Sequence, residues 1–458
     1  MHRNCQNMAK NSASTGREIW LDGVRGVAAV IVVWFHATAG RLVTPYRSFW
    51  DSPASENRYL YQLAPFRIFF SGPGMVDIFF VVSGYSVSIG LIKLRHEGSL
   101  ARFYQRLTSS VVRRMFRLCF PVAIMMLATH VVYYAGLYTM SNPKGTGCPG
   151  AEPRKSPIPH IKCLIRSFIS IINVQSGQNL TLNDHFWTIP AEIRGSMKVY
   201  LTLLGLSNTR DMARMIILGL LCVRSWWNGT PVYMAFFAGV LFAELDASES
   251  LKQQETQAHL SYSYRDHRDL SSYTTRLGRL STLLKPLVFI TGIYLLCLPT
   301  PTMSKGTTEA KFPADWFFLD LFPPLPWWGT ETTWSTWHTF GAILVIGSMR
   351  KLPRFRAPFE SRAAQFLGRI SFSLYLCHQT VLRVLLNPVM HWTTQFAAGV
   401  VSHDDVDSRE KWGVVFLSWI LAIPLIGGIL LLISVRMADA VDQKSIALGF
   451  NIERKLRR

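Results

Sequence analysis

The sequence predicts an all-α integral membrane protein, a polytopic bundle of about ten transmembrane helices with both termini in the cytoplasm. Of its 458 residues, 49% are hydrophobic and only 17% are charged, whereas charged residues make up about 25% of an ordinary soluble protein. Apolar runs of about 20 residues, the length that a membrane-spanning helix needs, recur along the chain. The basic residues, which give a formal net charge of +20, concentrate between those runs.

This composition excludes several classes of protein. High apolar content with few charges argues against intrinsic disorder and against a basic nucleic-acid-binding arm. Seven cysteines do not make a disulfide scaffold in so long a chain, and no Cys-x-x-Cys spacing indicates a zinc site. We therefore expect no metal and no nucleic acid, and we expect the lipid bilayer as a partner.

Ten segments are candidate transmembrane spans. The first three and the last are the clearest, the fourth carries Glu192, Arg194 and Lys198, and the eighth is short enough to be interfacial. The segments are 24–42, 76–94, 118–138, 189–206, 212–227, 232–245, 284–298, 337–348, 370–386 and 414–437. We divide the chain into an N-terminal segment 1–17, a transmembrane domain 18–438 with a polar loop at about 247–283, and a basic tail 439–458.

Loop charge predicts the orientation of these spans. Seven basic residues and one acidic residue lie between Lys93 and Arg117, which predicts a cytoplasmic loop. Alternation then places both termini, the basic region 350–369 and the polar stretch 248–279 in the cytoplasm, the last as a flexible loop. The acidic region 404–410 and the loop 141–186 fall on the outer side.

The outer loop 141–186 carries two modification candidates. Asn179 begins an Asn-Leu-Thr sequon, which is a glycosylation acceptor on the luminal side of a secretory membrane. Cys148 and Cys163 enclose 14 residues, a loop whose closure by a disulfide would stabilise the fold by about 3 kcal/mol. Two unpaired thiols, with Cys163 buried on an amphipathic stretch 161–174, are the alternative.

Arg25 and His36 carry the clearest chemical pattern of the first segment. They are eleven residues apart, which is about three helical turns, so they lie on one face about 16 Å apart. That spacing places Arg25 at the cytoplasmic rim and His36 near the middle of the bilayer. An anion held at the rim and a reactive end delivered to a base would fit it. A snorkelling arginine and a packed histidine are the alternative.

Two carboxylates stand at the start of other spans. Asp77 follows Gly72-Pro73-Gly74, which suggests a bend that aims the carboxylate inward, although a helix cap is the simpler reading. Glu192 opens the fourth segment and would orient a base or pair with Arg194.

The remaining candidates are cations and a buried Tyr–His pair. Arg113, Arg114 and Arg117 lead into the third segment, where guanidinium groups could bind phosphate as well as set topology. Tyr375 and His378 lie inside the ninth segment and are candidate donors to an oxyanion, unless they make only structural hydrogen bonds.

Together these residues resemble the membrane-bound acyltransferase-3 family, over about residues 20–437. The matching motifs, in the order of the family, are LDGVRG at 21–26 with FH at 35–36, VDIFFVVSG at 76–84, RRMFR at 113–117, WTIPAE at 187–192 and GRISFSLYLCH at 368–378. The chain lacks the esterase-like domain that some bacterial members carry and looks like the stand-alone fungal members.

The resemblance implies an O-acyltransferase that moves an acyl group, expected to be acetyl, from acyl-CoA to a hydroxyl. It implies His36 as the base and Arg25 as a partner of donor or substrate, and we place the two carboxylates, Glu192 and Asp77, with His36 in the catalytic set. No cofactor would be bound permanently, since acyl-CoA is a co-substrate. Several stand-alone fungal members acylate hydroxylated secondary metabolites such as terpenoids and polyketides, which suggests a small hydrophobic acceptor.

Other functions stay open from sequence. The acceptor could be a glycan or a lipid, the protein could be a carrier without acyl transfer, or it could be a non-catalytic scaffold. The membrane is expected to be the endoplasmic reticulum or another endomembrane.

The orientation predicts that Asn179 is glycosylated. Endoglycosidase digestion should therefore shift the protein on a gel, and Asn179→Gln should abolish the shift. Ser261→Asn creates an Asn-Tyr-Ser sequon in the polar loop predicted to be cytoplasmic, and in the Asn179→Gln background it should stay unmodified. A glycan at position 261 would reverse the orientation.

Overall fold

The structure is a computed structural model that describes residues 18–139, 148–173, 182–262, 274–303, 310–401 and 412–456. Within these residues the chain is helical apart from loops and one short β-ladder, in which Thr302–Met303 (β1) pairs antiparallel with Ala310–Lys311 (β2). The all-α prediction is confirmed. Asn179 and the acidic region 404–410 lie outside the described residues.

Thirteen α-helices follow one another along the described residues. They are α1 (Ile19–Thr38), α2 (Gly72–His96), α3 (Leu100–Tyr134), α4 (Pro157–Ile172), α5 (Thr188–Gly205), α6 (Asp211–Trp227), α7 (Pro231–Tyr262), α8 (Thr274–Leu296), α9 (Thr330–Met349), α10 (Pro353–Arg356), α11 (Arg362–Val401), α12 (Trp412–Met437) and α13 (Gln443–Leu456).

Five of the described helices are long and apolar enough to cross a membrane. They comprise α1, α2, α3, the part of α7 up to Gln253, and the stretch Gly413–Lys455 that includes α12. The other five predicted spans fall on α5, α6, α8, α9 and α11, which are helical but shorter or more polar. Length and composition therefore support five spans, and the N-in, C-in orientation stays a prediction.

The prediction of a flexible loop at 248–279 is wrong for most of its length. Helix α7 continues through it to Tyr262, and α8 already begins at Thr274. The physical reason is composition, because residues 247–260 include Ala, Glu, Gln, Leu and Lys and contain neither Gly nor Pro. Polarity alone predicted a loop, whereas helix propensity decided the structure.

The chain divides into two compact units. The first comprises Met1–Ser110 and Gly195–Gly368, and the second comprises Val111–Arg194 and Arg369–Arg458. In the first unit, α2 packs on α7 and α8 packs on α9, with α1 against α2. In the second unit, α12 continues through a π-helical turn at Ala438–Asp442 into α13.

Helices α2 and α7 approach each other backbone to backbone. A Cβ on Gly84 would overlap the carbonyl of Phe236, and one on Gly239 would overlap the carbonyl of Val81. The buried rings of Phe80 and Phe236 pack beside this contact with centroids 5.8 Å apart. Small residues permit such an approach, which gains van der Waals contact where lipid offers no hydrophobic driving force.

A buried carboxylate joins α2, α6 and α7 in the first unit. Glu244 accepts hydrogen bonds of 2.7 Å at both oxygens from Nη2 of Arg95, and Nε of Arg214 lies 3.5 Å away. The three side chains are no more than 4% exposed. Such a cluster holds helix register strictly, because removing one partner leaves an uncompensated buried charge.

The second unit has a buried amide in the same structural role. The Nδ2 of Asn183 donates to the hydroxyls of Thr129 on α3 and Thr380 on α11, at 3.1 and 3.0 Å. The two threonines are themselves 2.9 Å apart. This triad links the loop before α5 to both helices.

The glycine contact predicts a position-specific loss of stability. Gly84→Ala forces α2 and α7 apart, and we expect it to cost about 1–3 kcal/mol of unfolding free energy. Gly90→Ala, on the same helix but with nothing within 4 Å of its Cβ, should be neutral or slightly stabilising. Thermal unfolding in detergent compares the two, and equal midpoints would contradict the close approach.

Candidate functional site

Two glycines near the start of α1 position it in the first unit. A Cβ on Gly23 would overlap the carbonyl of Phe359, and one on Gly26 would overlap the backbone at Leu367 and Gly368. Gly368 in turn lies directly against the backbone of Asp22. Segments 21–26 and 357–368 therefore form one close contact, which explains the glycines in two of the sequence motifs.

The other end of α1 is held by the loop that follows it. The hydroxyls of Thr38 and Tyr46 lie 2.6 Å apart, and the ring of Tyr46 contacts that of Phe35 edge to face at 5.5 Å. Gly72, the first residue of α2, has no Cβ and leaves room for the ring of Phe35. The last turn of α1, which contains His36, is thus fixed from two directions.

The loop is itself ordered by buried polar side chains. Arg67 donates from Nη2 to the carbonyl of Tyr46 at 2.8 Å, and Gln62 donates from Nε2 to that of Thr44 at 3.0 Å. Burial lowers the pKa of Arg67 because desolvation disfavours its charge. Burial also raises the pKa of Tyr46 to about 12, although its hydrogen bond with Thr38 acts in the opposite direction, so its hydroxyl keeps its proton.

Arg25 and His36 lie in one uninterrupted helix, so the eleven-residue spacing places them on one face. Both are only partly buried, whereas most of α1 around them is buried. The guanidinium of Arg25 lies 3.9 Å from Asp22, a loose contact within the first turns. The face therefore offers a cation and an imidazole that a ligand can reach.

Asp77 is a buried residue of α2, and it does not cap the helix. The N-cap is Ser71, and the carboxylate of Asp77 instead accepts a 2.8 Å hydrogen bond from Thr339 on α9. The capping interpretation is therefore wrong. Sequence reasoning missed Thr339, which carries no motif of its own.

In the second unit, Glu192 forms an ion pair with Arg114 of α3. This corrects the expectation of a pair with Arg194. Arg113 lies 3.6 Å from Glu453 of α13, with its guanidinium over the ring of Phe450 at 4.6 Å. Two of the three arginines predicted to bind phosphate thus have carboxylate partners.

Tyr375 and His378 belong to a buried network around His185. The hydroxyl of Tyr375 donates to the carbonyl of His185 at 2.8 Å and lies 2.7 Å from the hydroxyl of Thr188. The rings of His185 and His378 contact each other with centroids 4.5 Å apart. Gln379 accepts at Oε1 from Nδ1 of His185 at 2.9 Å.

These bonds assign the protons in the network. Since a carbonyl oxygen only accepts, Nδ1 of His378 carries the hydrogen that it donates to the carbonyl of Tyr375 at 2.6 Å. The same logic places a hydrogen on Nδ1 of His185. The hydroxyl proton of Tyr375 goes to a backbone carbonyl, so positioning the turn before α5 describes this residue better than donating to an oxyanion.

Sequence reasoning missed His185. It lies seven residues before Glu192, a spacing of two helical turns that could have connected it to the WTIPAE motif. The turn is, however, a 3-10 helix at Asp184–Trp187 rather than α-helix, so α-helical periodicity does not predict where His185 lies relative to Glu192.

Cys148 and Cys163 are joined by a disulfide, with their Cα atoms 5.2 Å apart. A nitrogen of His130 and the two sulfurs all lie within 4.8 Å of one another. Because the sulfurs are bonded to each other, this group does not offer the thiolates that a zinc ion needs.

Comparison with known proteins shows which protein family the sequence matches. The Acyltransferase domain family matches residues 18–438. Acyltransferase clz18 of Cochliobolus lunatus is 25% identical over 78% of this chain and 81% of its own length. O-acetyltransferase PaAT-1 of Phomopsis amygdali is 26% identical over 93% of this chain and 81% of its own length. Acyltransferase R4 of a Phoma species is 24% identical over 88% of this chain and 91% of its own length. No solved structure matches the chain.

The network predicts how Tyr375→Phe behaves. Loss of the hydroxyl leaves the buried His185 carbonyl with only the 3.1 Å hydrogen bond from the Thr188 hydroxyl, so the unfolding free energy should fall by about 0.5–1.5 kcal/mol. Turnover should fall less than tenfold, whereas loss of an oxyanion donor costs about 10²–10³. Thr188→Val is the matched variant and should show the same pattern. A hundredfold loss of kcat in a stable Tyr375→Phe protein would restore the oxyanion role.

Proposed function

The chain belongs to the acyltransferase domain family, and we propose that it is an integral-membrane O-acyltransferase that moves an acyl group from acyl-CoA to a hydroxyl. The acyl group we propose is acetyl, and the acceptor a small hydrophobic secondary metabolite. One relative carries O-acetyltransferase in its name, which supports both the acyl group and the acceptor oxygen.

The observation that supports this proposal most is the arrangement of α1. Glycine contacts hold the end that carries Arg25, and the Tyr46 loop holds the end that carries His36. The two side chains share one face and are accessible, as a catalytic base and a ligand-binding cation have to be. A merely structural pair would not need both properties.

In the proposed reaction His36 acts as the general base. Its neutral imidazole accepts the proton of the acceptor hydroxyl while the oxygen attacks the thioester carbonyl carbon. The tetrahedral intermediate then breaks its carbon–sulfur bond, the ester forms, and His36 returns the proton to the departing thiolate of CoA. The chain needs no serine nucleophile for this direct transfer.

We assign the phosphates of CoA to arginines. Arg25 and Arg117 are candidates. Arg113 and Arg114 are candidates as well, because their carboxylate partners do not prevent them from binding phosphate. A guanidinium has five N–H donors, so a carboxylate that holds one side leaves other donors for a phosphate. In this proposal Glu192 positions Arg114 through their ion pair. Asp77 fixes α2 against α9 through its hydrogen bond with Thr339.

The membrane we propose is that of the endoplasmic reticulum or another endomembrane. The Cys148–Cys163 disulfide supports this, since disulfides persist where a lumen is oxidising. The loop that carries it is on the outer side in the proposed orientation.

The proposal predicts the behaviour of His36→Ala. Loss of the base should lower kcat by about 10²–10⁴ while the unfolding temperature and membrane insertion stay unchanged. His391→Ala, an exposed histidine on α11, is the matched control and should keep full turnover. Cells that carry His36→Ala should lose the metabolite that is heavier by one acetyl group.

A folded His36→Ala protein with near-normal turnover would contradict the base assignment. A wild-type protein that moves a hydrophobic compound across the membrane without releasing CoA would instead favour the carrier.

A further inference from the structure

Helix α4 has its polar and apolar faces the wrong way round for a helix in water. Ser156 caps its N-terminus by accepting from the backbone N–H of Ile158, and Pro157 occupies the first turn. Its buried residues are His160, Cys163, Ser167, Ser170 and Ile171, of which Ile171 alone is a large apolar side chain, whereas five isoleucines face outward. The outward isoleucines are Ile158, Ile161, Ile165, Ile169 and Ile172, of which the first four are 55–58% exposed and the last 39%.

Helical geometry makes this a single stripe. At 100° per residue the five isoleucines fall within about 80° of one another, and the buried polar residues lie on the opposite side. A surface helix in water buries its apolar stripe and exposes its polar face. The reversed pattern indicates that the medium outside α4 is less polar than the protein behind it.

Two cations decide how the helix lies in that medium. Lys162 and Arg166 are exposed at one edge of the stripe, on either side of the middle of α4. In a helix that crossed the bilayer they would lie close to the midplane, where a charged side chain is most costly. The stripe also covers only about 21 Å, short of the ~30 Å hydrocarbon core. Both facts favour a helix parallel to the membrane surface.

The aromatic contacts of α4 also place it at the membrane–water interface. The ring of His160 lies 5.7 and 5.2 Å from the rings of Tyr133 and Tyr134, which end the candidate span α3. Tyrosines concentrate at the membrane–water interface. The Cys148–Cys163 disulfide attaches the middle of α4 to the preceding loop.

We propose that α4 is an in-plane membrane helix, with its isoleucine stripe in the acyl chains of one leaflet and with Lys162 and Arg166 at the phosphate headgroups. The partner of this surface is the lipid bilayer itself. The helix therefore belongs to the membrane-embedded part of the protein rather than to an aqueous loop, and it adds no crossing to the topology.

Site-directed spin labelling of the full chain in nanodiscs of phosphatidylcholine and phosphatidylserine tests this. The other five cysteines, Cys5, Cys119, Cys222, Cys297 and Cys377, are replaced by alanine, and the disulfide is kept and verified by mass spectrometry. Labels are then placed by Ile158→Cys, Ile165→Cys and Ile172→Cys. We expect all three to collide with oxygen several-fold more often than with a water-soluble nickel chelate, and at one common depth.

Two further labels calibrate the measurement. Lys155→Cys, an exposed residue just before α4, reports water, and Leu432→Cys, 59% exposed on α12, reports lipid. Depths that peak at position 165 would mean that α4 crosses the bilayer and would overturn the in-plane proposal. Collision rates at the three positions that match those at position 155 would place the helix in water and overturn the proposal. Spin–spin broadening between labels would place a second copy of the protein on the stripe and would also overturn it.

Discussion

Backbone contact at glycine is the interaction on which the first unit depends. Gly23, Gly26 and Gly368 seat the start of α1, and Gly84 with Gly239 join α2 to α7. Between helices that lipid surrounds, close packing replaces the hydrophobic effect as the main attraction. Because a helix is rigid, the three glycines that seat the start of α1 also fix the position of the His36 imidazole, about 16 Å further along α1.

The candidate residues differ in burial, and this separates their roles. Arg25 and His36 are partly open, whereas Tyr375, His378 and His185 are at most 8% exposed and bond to one another or to backbone. Open groups can meet a ligand and exchange protons with it. Buried groups that hydrogen-bond to the backbone hold the local geometry. Burying them costs desolvation free energy, and in return a fully satisfied network specifies one arrangement of the helices.

Much of this was accessible from sequence because it depends on local pattern. Apolar runs located the helices, and eleven residues in one helix put Arg25 and His36 on one face. Partners distant in sequence were not accessible: Thr339 for Asp77, Arg114 for Glu192, Gln379 for His185. Local signals also misled where two of them competed, as in the polar but helix-forming continuation of α7. The Cys148–Cys163 pair lay within reach because both residues share one short loop.

The cluster at Glu244 constrains how this protein can diverge. One carboxylate serves Arg95 on α2 and Arg214 on α6. Neutralising it leaves the buried Arg95 without its ion-pair partner and Arg214 with Asp211 alone, and losing either arginine upsets the balance of charge around Glu244. The three positions are therefore coupled beyond pairwise additivity. Over generations Glu244 and Arg95 should be inherited as a single unit: a lineage that replaces the acid should be found to have replaced Arg95 as well, while Arg214 can persist as the partner of Asp211.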